Sequence, residues 1–303
     1  LNIAYRFRIY PTEEQKILLG KTLGCCRFLY NQMLNDKIRE YKKTKKLLKN
    51  TPAMYKKECS FLKEVDSLAL ANVQLHLEKA YKNFFRDPKV GFPRFKSKHH
   101  SKNSYTTNVV NGNILVEDNR IRLPKLKWIS MKKHSEPAEN CRLKSVTVSM
   151  EPSGKYFASL LYEGYSCENQ AADRDYSNAK ILGIDYAMQG MAVFSEEIEM
   201  EEAGFFRKNE KRLAREQRKL SRCVKGSRNY VRQKKKVARC HEKIRSQRRD
   251  YLHKLSRRIT DQYDIVAVED IDMKAMSQCL HFGKSIQDNG YGMFRNMLDY
   301  KLA

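Results

Sequence analysis

The chain has 303 residues, with 60 Lys and Arg against 35 Asp and Glu, a net charge of +25 and 41% apolar residues. That apolar content excludes a disordered polypeptide, and the length allows two domains. There is no signal peptide and no apolar run long enough to span a bilayer, so a cytoplasmic protein with reduced thiols is expected.

The eight cysteines (Cys25, Cys26, Cys59, Cys141, Cys167, Cys223, Cys240 and Cys279) form no Cys-x-x-Cys pair, and their spacings build no zinc site. The positive charge is concentrated. Residues 207–258 hold 22 Lys and Arg against 4 Asp and Glu. Such a field calls for a polyanionic partner, nucleic acid first.

Residues 5–9, Tyr-Arg-Phe-Arg-Ile, alternate apolar and basic and predict a half-buried strand. After Pro11 a helix opens, with Thr12 as its cap and Gln15 closing a capping box. Leu18, Leu23, Cys26, Leu29, Tyr30 and Met33 carry its apolar face, with a break allowed at Gly24. The lysine run over 37–49 reads as a solvated face, and Pro52 marks a boundary.

Asp66 and Ser67 start another helix, with Leu68, Ala71, Leu75, Tyr81 and Phe85 along a core-facing side. Ser67 and Asn72 are its polar positions for contacting DNA. Residues 91–98 interleave aromatic and basic side chains. They read equally as a base-stacking loop, with Arg94 and Lys96 on phosphates, or as a loop packing Phe92 and Phe95 inward.

From 104 to 163 the apolar pattern has period two. Strands are expected at 114–116, 121–123, 128–131, 145–150 and 156–161, the last two joined by a hairpin at Pro152-Ser153-Gly154. With the first strand they make a small β-barrel, and the helices of residues 12–86 are an insertion after that strand. Residues 164–180 are polar and read as a linker.

The chain is organised around residues 181–194, where an apolar run delivers Asp185 and a second apolar run follows a Gly-containing turn. Residues 264–270 repeat the device, an apolar run ending in Glu269. Runs of four or five apolar residues suit strands buried on both faces. A carboxylate at the end of such a strand belongs at the sheet's edge, near water, a metal or a cation. Two such strands side by side would crowd Asp185 against Glu269, which favours a divalent cation with hard oxygen ligands such as Mg²⁺.

Residues 207–262 between them predict a helical hairpin broken at Gly226-Ser227. Val237, Ile244 and Tyr251 recur at every seventh position, then Leu255 and Ile259 at intervals of four. Arg215, Arg218, Lys235, Arg239 and Arg248 are among the cations expected to meet nucleic acid, without sequence readout, since phosphate contacts position and do not specify. The element order predicts an RNase H-like α/β domain, a fold in which carboxylates hold two metal ions for phosphodiester hydrolysis.

Several stretches together resemble the TnpB (OrfB) family, encoded beside bacterial insertion sequences and related to type V CRISPR effectors. They are Phe7-Arg-Ile-Tyr-Pro11, Gly24-Cys-Cys-Arg-Phe28, Tyr30-Asn31, Leu62-Lys-Glu-Val-Asp-Ser67, Ala80-Tyr-Lys-Asn-Phe-Phe85 and Gly91-Phe-Pro-Arg-Phe-Lys96. Further on come Gly183-Ile-Asp185, Leu213-Ala-Arg-Glu-Gln-Arg-Lys-Leu-Ser221, Leu252-His-Lys-Leu-Ser256, Val268-Glu269-Asp270 and Gly290-Tyr-Gly-Met-Phe-Arg295.

The resemblance implies an RNA-guided DNA endonuclease. Its partners would be a transposon-derived guide RNA and double-stranded target DNA. The N-terminal part would be a β-barrel wedge domain with an inserted helical recognition module, and the C-terminal part a RuvC-like nuclease. Asp185 matches the first RuvC carboxylate and Glu269 the second, both as ligands of Mg²⁺.

Family members continue beyond the segment that ends here at Ala303, into two Cys-x-x-Cys pairs binding Zn²⁺ and a final Asp-Arg-Asp stretch with the third carboxylate. A C-terminally truncated chain with weak or absent cleavage is therefore expected. Asp173-Arg174-Asp175 reads as a coincidental match to that last stretch. The alternative is a nuclease-dead, RNA-guided DNA-binding repressor or transposon remnant. An end-joining transposase fits poorly, and a non-specific basic RNA-binding protein is the fallback.

Overall fold

The computed structural model describes residues 2–98, 101–137, 140–164, 177–187, 191–200, 204–272 and 288–302. It divides into two compact units, Leu1–Ser166 and Cys167–Ala303.

The first unit holds a seven-stranded antiparallel sheet: β1 Asn2–Tyr10, β2 Ser104–Asn108, β3 Leu115–Glu117, β4 Arg120–Leu123, β5 Lys127–Lys132, β6 Arg142–Met150 and β7 Tyr156–Glu163. Its order is β2-β6-β7-β1-β5-β4-β3. The alternation in β1 sends Phe7 and Ile9 into the core and Arg6 and Arg8 away from it. Phe7 sits opposite Ala158 of β7, so a large ring faces a small partner. The Arg6 guanidinium lies 4.0 Å over the Phe157 ring and donates to the Glu151 carboxylate at 2.6 Å. β2 adds a strand ahead of those expected from the period-two pattern, pairing Tyr105 with Val148.

Between β1 and β2 the chain forms α1 Glu13–Thr44, α2 Pro52–Glu58 and α3 Ser67–Arg86. The capping box is present. Gln15 N–H donates to Thr12 Oγ1, and Thr12 N–H donates to Gln15 Oε1. The Gln15 amide also donates to the carbonyls of Leu126 and Trp128, both at 2.8 Å, which fixes the start of α1 on β5 and its approach.

The break allowed at Gly24 does not occur, and α1 runs unbroken for 32 residues. Each interior glycine costs about 1 kcal/mol. Burial of Leu19, Leu23, Leu29, Met33 and Leu34, at about 1.5–3 kcal/mol for each side chain, outweighs it.

In α3 the apolar phase differs from the sequence expectation. Ala69, Leu70, Val73, Leu77 and Tyr81 are buried, whereas Leu75 and Phe85 are exposed. Both sides of this helix carry apolar residues, and its packing against α1 and β2 selects the stripe that is covered. In the following loop, Phe92 meets Tyr81 and Phe84 edge-on, yet Phe92 and Phe95 both stay exposed, so neither ring is packed inward. Asn31 of α1 clamps that loop, donating to the Lys96 carbonyl at 2.9 Å and accepting from the Lys96 amide at 2.7 Å.

The second unit has a three-stranded sheet of β8 Ile181–Ala187, β9 Met191–Phe194 and β10 Ile265–Val268, in the order β10-β8-β9. β8 and β9 are antiparallel, and β10 runs parallel to β8. β9 returns the chain to the end where β8 begins, the hairpin of α4 Phe205–Ser221 and α5 Arg228–Gln262 connects β9 to β10, and α6 Tyr291–Leu302 follows.

Ser227 caps α5 through the Tyr230 amide. Ile244, Leu252, Leu255 and Ile259 of α5 are buried. Tyr251 of the expected seam is half-buried against the same cluster, and Leu252 beside it is buried as well, because α5 packs on both α4 and α6 and so covers a wider stripe.

Among the described residues no helix is long and apolar enough to cross a membrane. The six described cysteines are free thiols, and Cys167 and Cys279 lie outside the described residues.

The corrected phase of α3 is open to test. Leu70→Ala should lower the stability of the first unit by about 2–5 kcal/mol in urea unfolding, and Leu75→Ala should change it by less than about 0.5 kcal/mol. Equal effects would contradict the packing.

Candidate functional site

β8 alternates between two environments. Leu182, Ile184 and Tyr186 are buried against α5 and α6. Ile181, at 58% exposure, and Asp185 lie on the other face with Gly183. Burial on both faces, as expected from the apolar run, is therefore not what β8 shows among the described residues. Ile181 and Gly183 give an open face an apolar composition, which hides the alternation in sequence.

Gly183 allows a close approach. Its N–H donates to Ser195 Oγ at 2.9 Å, its carbonyl accepts from Ser195 N–H at 2.9 Å, and a Cβ there would stand 3.3 Å from Ser195 Cβ.

The register pairs Ile184 with Val268, so Asp185 and Glu269 are the next residues at the same ends of two parallel neighbours. With Gly183, Val193, Ser195 and Ala267 they line an open hollow on the sheet. The side-chain interaction with Asp185 raises the Glu269 pKa above the ordinary carboxylate range, with burial and the Asp185 charge adding in the same direction. A like charge at close range disfavours the ionised form.

Asp270, the next acid, pairs instead with Arg295 of α6 at 2.8 Å. Tyr291, one turn earlier, meets the Tyr186 ring edge-on at 4.9 Å, and burial first, then the charges of Glu269 and Asp185, push its phenol up. Among the described residues no group of three or more His, Cys, Asp or Glu converges. Asp173, Arg174 and Asp175 lie outside the described residues.

On the helical hairpin, Arg215, Arg218, Lys235 and Arg239 are exposed. Arg239 lines a cleft of about 280 Å³ between α4 and α5, with Arg212, Lys236 and Lys243. The hairpin is clasped by a buried polar contact absent from the sequence reading. Gln233 Nε2 donates to the Glu216 carbonyl at 3.0 Å and to its carboxylate at 2.7 Å. That bond, followed by Lys219, Arg215 and Lys236, holds the Glu216 carboxyl below the ordinary range.

Arg248 does not share this exposed face. It is paired at 3.2 Å with Asp288, which is 2% exposed. A guanidinium committed to a buried carboxylate is a structural cation, so the expected nucleic-acid contact at Arg248 is corrected.

In the first unit Ser67 is exposed and accepts from Lys56 Nζ at 3.0 Å. Asn72 is 7% exposed and its amide donates to the Leu68 carbonyl, so the expected DNA contact is replaced by a bond inside the helix. Arg94 is exposed. Lys96 is half-buried with its ammonium 4.0 Å over the Tyr30 ring, and burial lowers its pKa, so packing has taken up the side chain expected on phosphate.

Residues 164–280 match a family model, OrfB of IS605-type elements, described as "Probable transposase", and residues 1–46 match its "Helix-turn-helix domain". The latter description does not fit residues 2–44, which form one strand and one continuous helix. A proposed RNA-guided DNA endonuclease of Streptomyces pristinaespiralis is 32% identical over 99% of this chain and 74% of its own length. InsQ of Escherichia coli K12, also named as a proposed RNA-guided DNA endonuclease, is 31% identical over 98% of this chain and 77% of its own. Among solved structures, Cas12f1 in complex with single-guide RNA and target DNA matches with a TM-score of 0.53 at 12% identity. That match covers all of this chain and 87% of Cas12f1, and it is a likeness of fold.

The carboxyl pair makes a pH-dependent prediction. With its pKa raised on folding, Glu269 holds its proton in the folded chain over a range in which the unfolded chain has released it. The pair's contribution to stability is full below the ordinary carboxylate pKa and is lost as pH rises through the raised value. Glu269→Gln and Asp185→Asn should each raise the melting temperature near neutral pH in the presence of a chelator. The gain should vanish in acid, where the pair is protonated. A gain that persists in acid, or a loss at neutral pH, would show that the two groups do not repel.

Proposed function

The chain belongs to the TnpB (OrfB) family, and we propose that it acts as an RNA-guided DNA endonuclease with Asp185 and Glu269 as ligands of catalytic Mg²⁺. The observation that carries this reading is the pair of carboxyl groups side by side on two parallel neighbours, one within β8 and one just past β10, in the same unit as a strongly basic helical hairpin.

The donor set fits a hard divalent cation. Both ligands are carboxylate oxygens on an open, water-accessible face, and the crowding that raises the Glu269 pKa is the crowding a divalent cation relieves. When bound, such ions activate water and stabilise the leaving oxygen of a phosphodiester.

The rest is work for the chain's own residues. Asp270 is neutralised by Arg295, which leaves Glu269 to face Asp185. The exposed cations of α4 and α5 would bind RNA or DNA backbone without reading sequence. On this reading the first unit is the wedge domain with its helical recognition insertion, and the second is the RuvC-like domain. Two carboxylates are a sparse cage for two metals, so residues 1–303 by themselves should hold guide and target well and cut slowly.

The test is to load the purified chain with RNA transcribed from its flanking transposon end and supply matched target DNA with Mg²⁺. Guide-dependent DNA retention is expected, with slow cleavage abolished in Asp185→Ala. Affinity should fall with salt, and Arg215→Ala or Arg239→Ala should each shallow the log–log slope by about 0.7–0.9 if it removes one phosphate contact. Rapid cutting by residues 1–303 would overturn the expectation of slow cleavage. Guide-dependent occupancy with no product would favour the repressor reading, and binding with no preference for one RNA would contradict RNA guidance.

A further inference from the structure

We infer that Asp288 is a positioning residue that couples the basic helical hairpin to the Asp185–Glu269 pair, an inference that rests on reading that pair as a metal site.

Asp288 is almost wholly buried, at 2% exposure. Its Oδ1 accepts from the Phe206 amide at 2.7 Å and from Arg248 Nη2 at 3.2 Å, and its Oδ2 accepts from the Arg207 amide at 3.3 Å. Phe206 and Arg207 lie in the first turn of α4, where a helix leaves amide donors without partners. Gly204, before α4, brings no side chain to cap it. Asp288 fills that role from more than eighty residues away, on the favourable end of the helix dipole. Through Arg248 the same carboxylate also holds α5.

The next three residues reach the other way. Asn289 Nδ2 donates to the carbonyl of Ala187, the last residue of β8 and two past Asp185, at 3.4 Å. Gly290 has φ +69°, and a Cβ there would lie 2.9 Å from Arg248 Cδ and 3.2 Å from Leu252 Cδ1, so α5 presses directly on this turn. Tyr291 sets its ring edge-on against Tyr186, the neighbour of Asp185.

Four consecutive residues therefore touch the start of α4, the middle of α5 and the end of the strand that carries Asp185. A carboxylate out of water is tolerated only where it is paired and hydrogen-bonded, so Asp288 has one low-energy seat. While it occupies that seat, the end of β8 is held against α6, and a shift of the hairpin must move it.

Tb³⁺ is a suitable probe. It takes carboxylate oxygens, and the rings of Tyr186 and Tyr291 near the pair can sensitise its luminescence. In the full chain without RNA, Asp185→Asn should remove saturable Tb³⁺ binding. Asp288→Asn and Asn289→Ala should each weaken it by about tenfold or more, the scale of lost outer support at metal sites.

Hydrogen exchange supplies a readout independent of metal. Asp288→Asn should lose protection at the first turn of α4 and at the end of β8. Asn289→Ala should lose it at the end of β8 with α4 unchanged, and it keeps the test alive if Asp288→Asn does not fold. Unchanged Tb³⁺ affinity in both variants, or unchanged exchange at the end of β8 in both, overturns the inference. If the wild type shows no Tb³⁺ site that Asp185→Asn removes, the metal reading fails instead, and hydrogen exchange alone decides whether Asp288 couples hairpin to strand.

Discussion

Two like charges are held where they repel, and the second unit is built to hold them there. Asp185 and Glu269 meet because β10 runs parallel to β8 in a register that aligns their ends. β9 returns the chain to the end where β8 begins, and α4 and α5 form the connection from there to β10. That connection is where the chain puts most of its net positive charge. Backbone pairing and the buried residues of β8, α5 and α6 oppose the repulsion. The raised pKa of Glu269 is the sign that it persists.

The hairpin is basic outside and tied inside by two polar contacts of different character. Gln233 on Glu216 clasps α4 to α5 with bonds that need no second charge, and Asp288 with Arg248 does so with a buried ion pair. Removing one partner of such a pair leaves the other charge buried and uncompensated, which is the costly way to break it. The first unit uses the same economy at Asn31, whose single amide satisfies both backbone groups of Lys96 and so fixes a loop that would otherwise have no partner strand.

Much of this was legible in the sequence where a local signal exists. Apolar runs ending in acid marked β8 and β10, Thr12 and Gln15 marked the start of α1, and Gly226-Ser227 marked the turn of the hairpin. What failed to show was decided by partners distant in sequence. The covered stripe of α3 depends on α1 and β2, because apolar residues line two sides of the helix. The open face of β8 was hidden by Ile181 and Gly183. Asn72 and Arg248 looked like surface contacts because type and spacing say nothing about burial. Asp288 gave no signal at all, since the helix it caps begins at Phe205, more than eighty residues away in sequence.

The central claim is that the crowded pair awaits a divalent cation. The direct measurement is the titration of the Glu269 side-chain carboxyl by ¹³C NMR, with and without Mg²⁺. The account predicts a midpoint above the ordinary carboxylate range without metal and a clear fall when Mg²⁺ is added, as the cation offsets the repulsion from Asp185. A midpoint that is ordinary from the outset, or one that Mg²⁺ leaves unmoved, would contradict it.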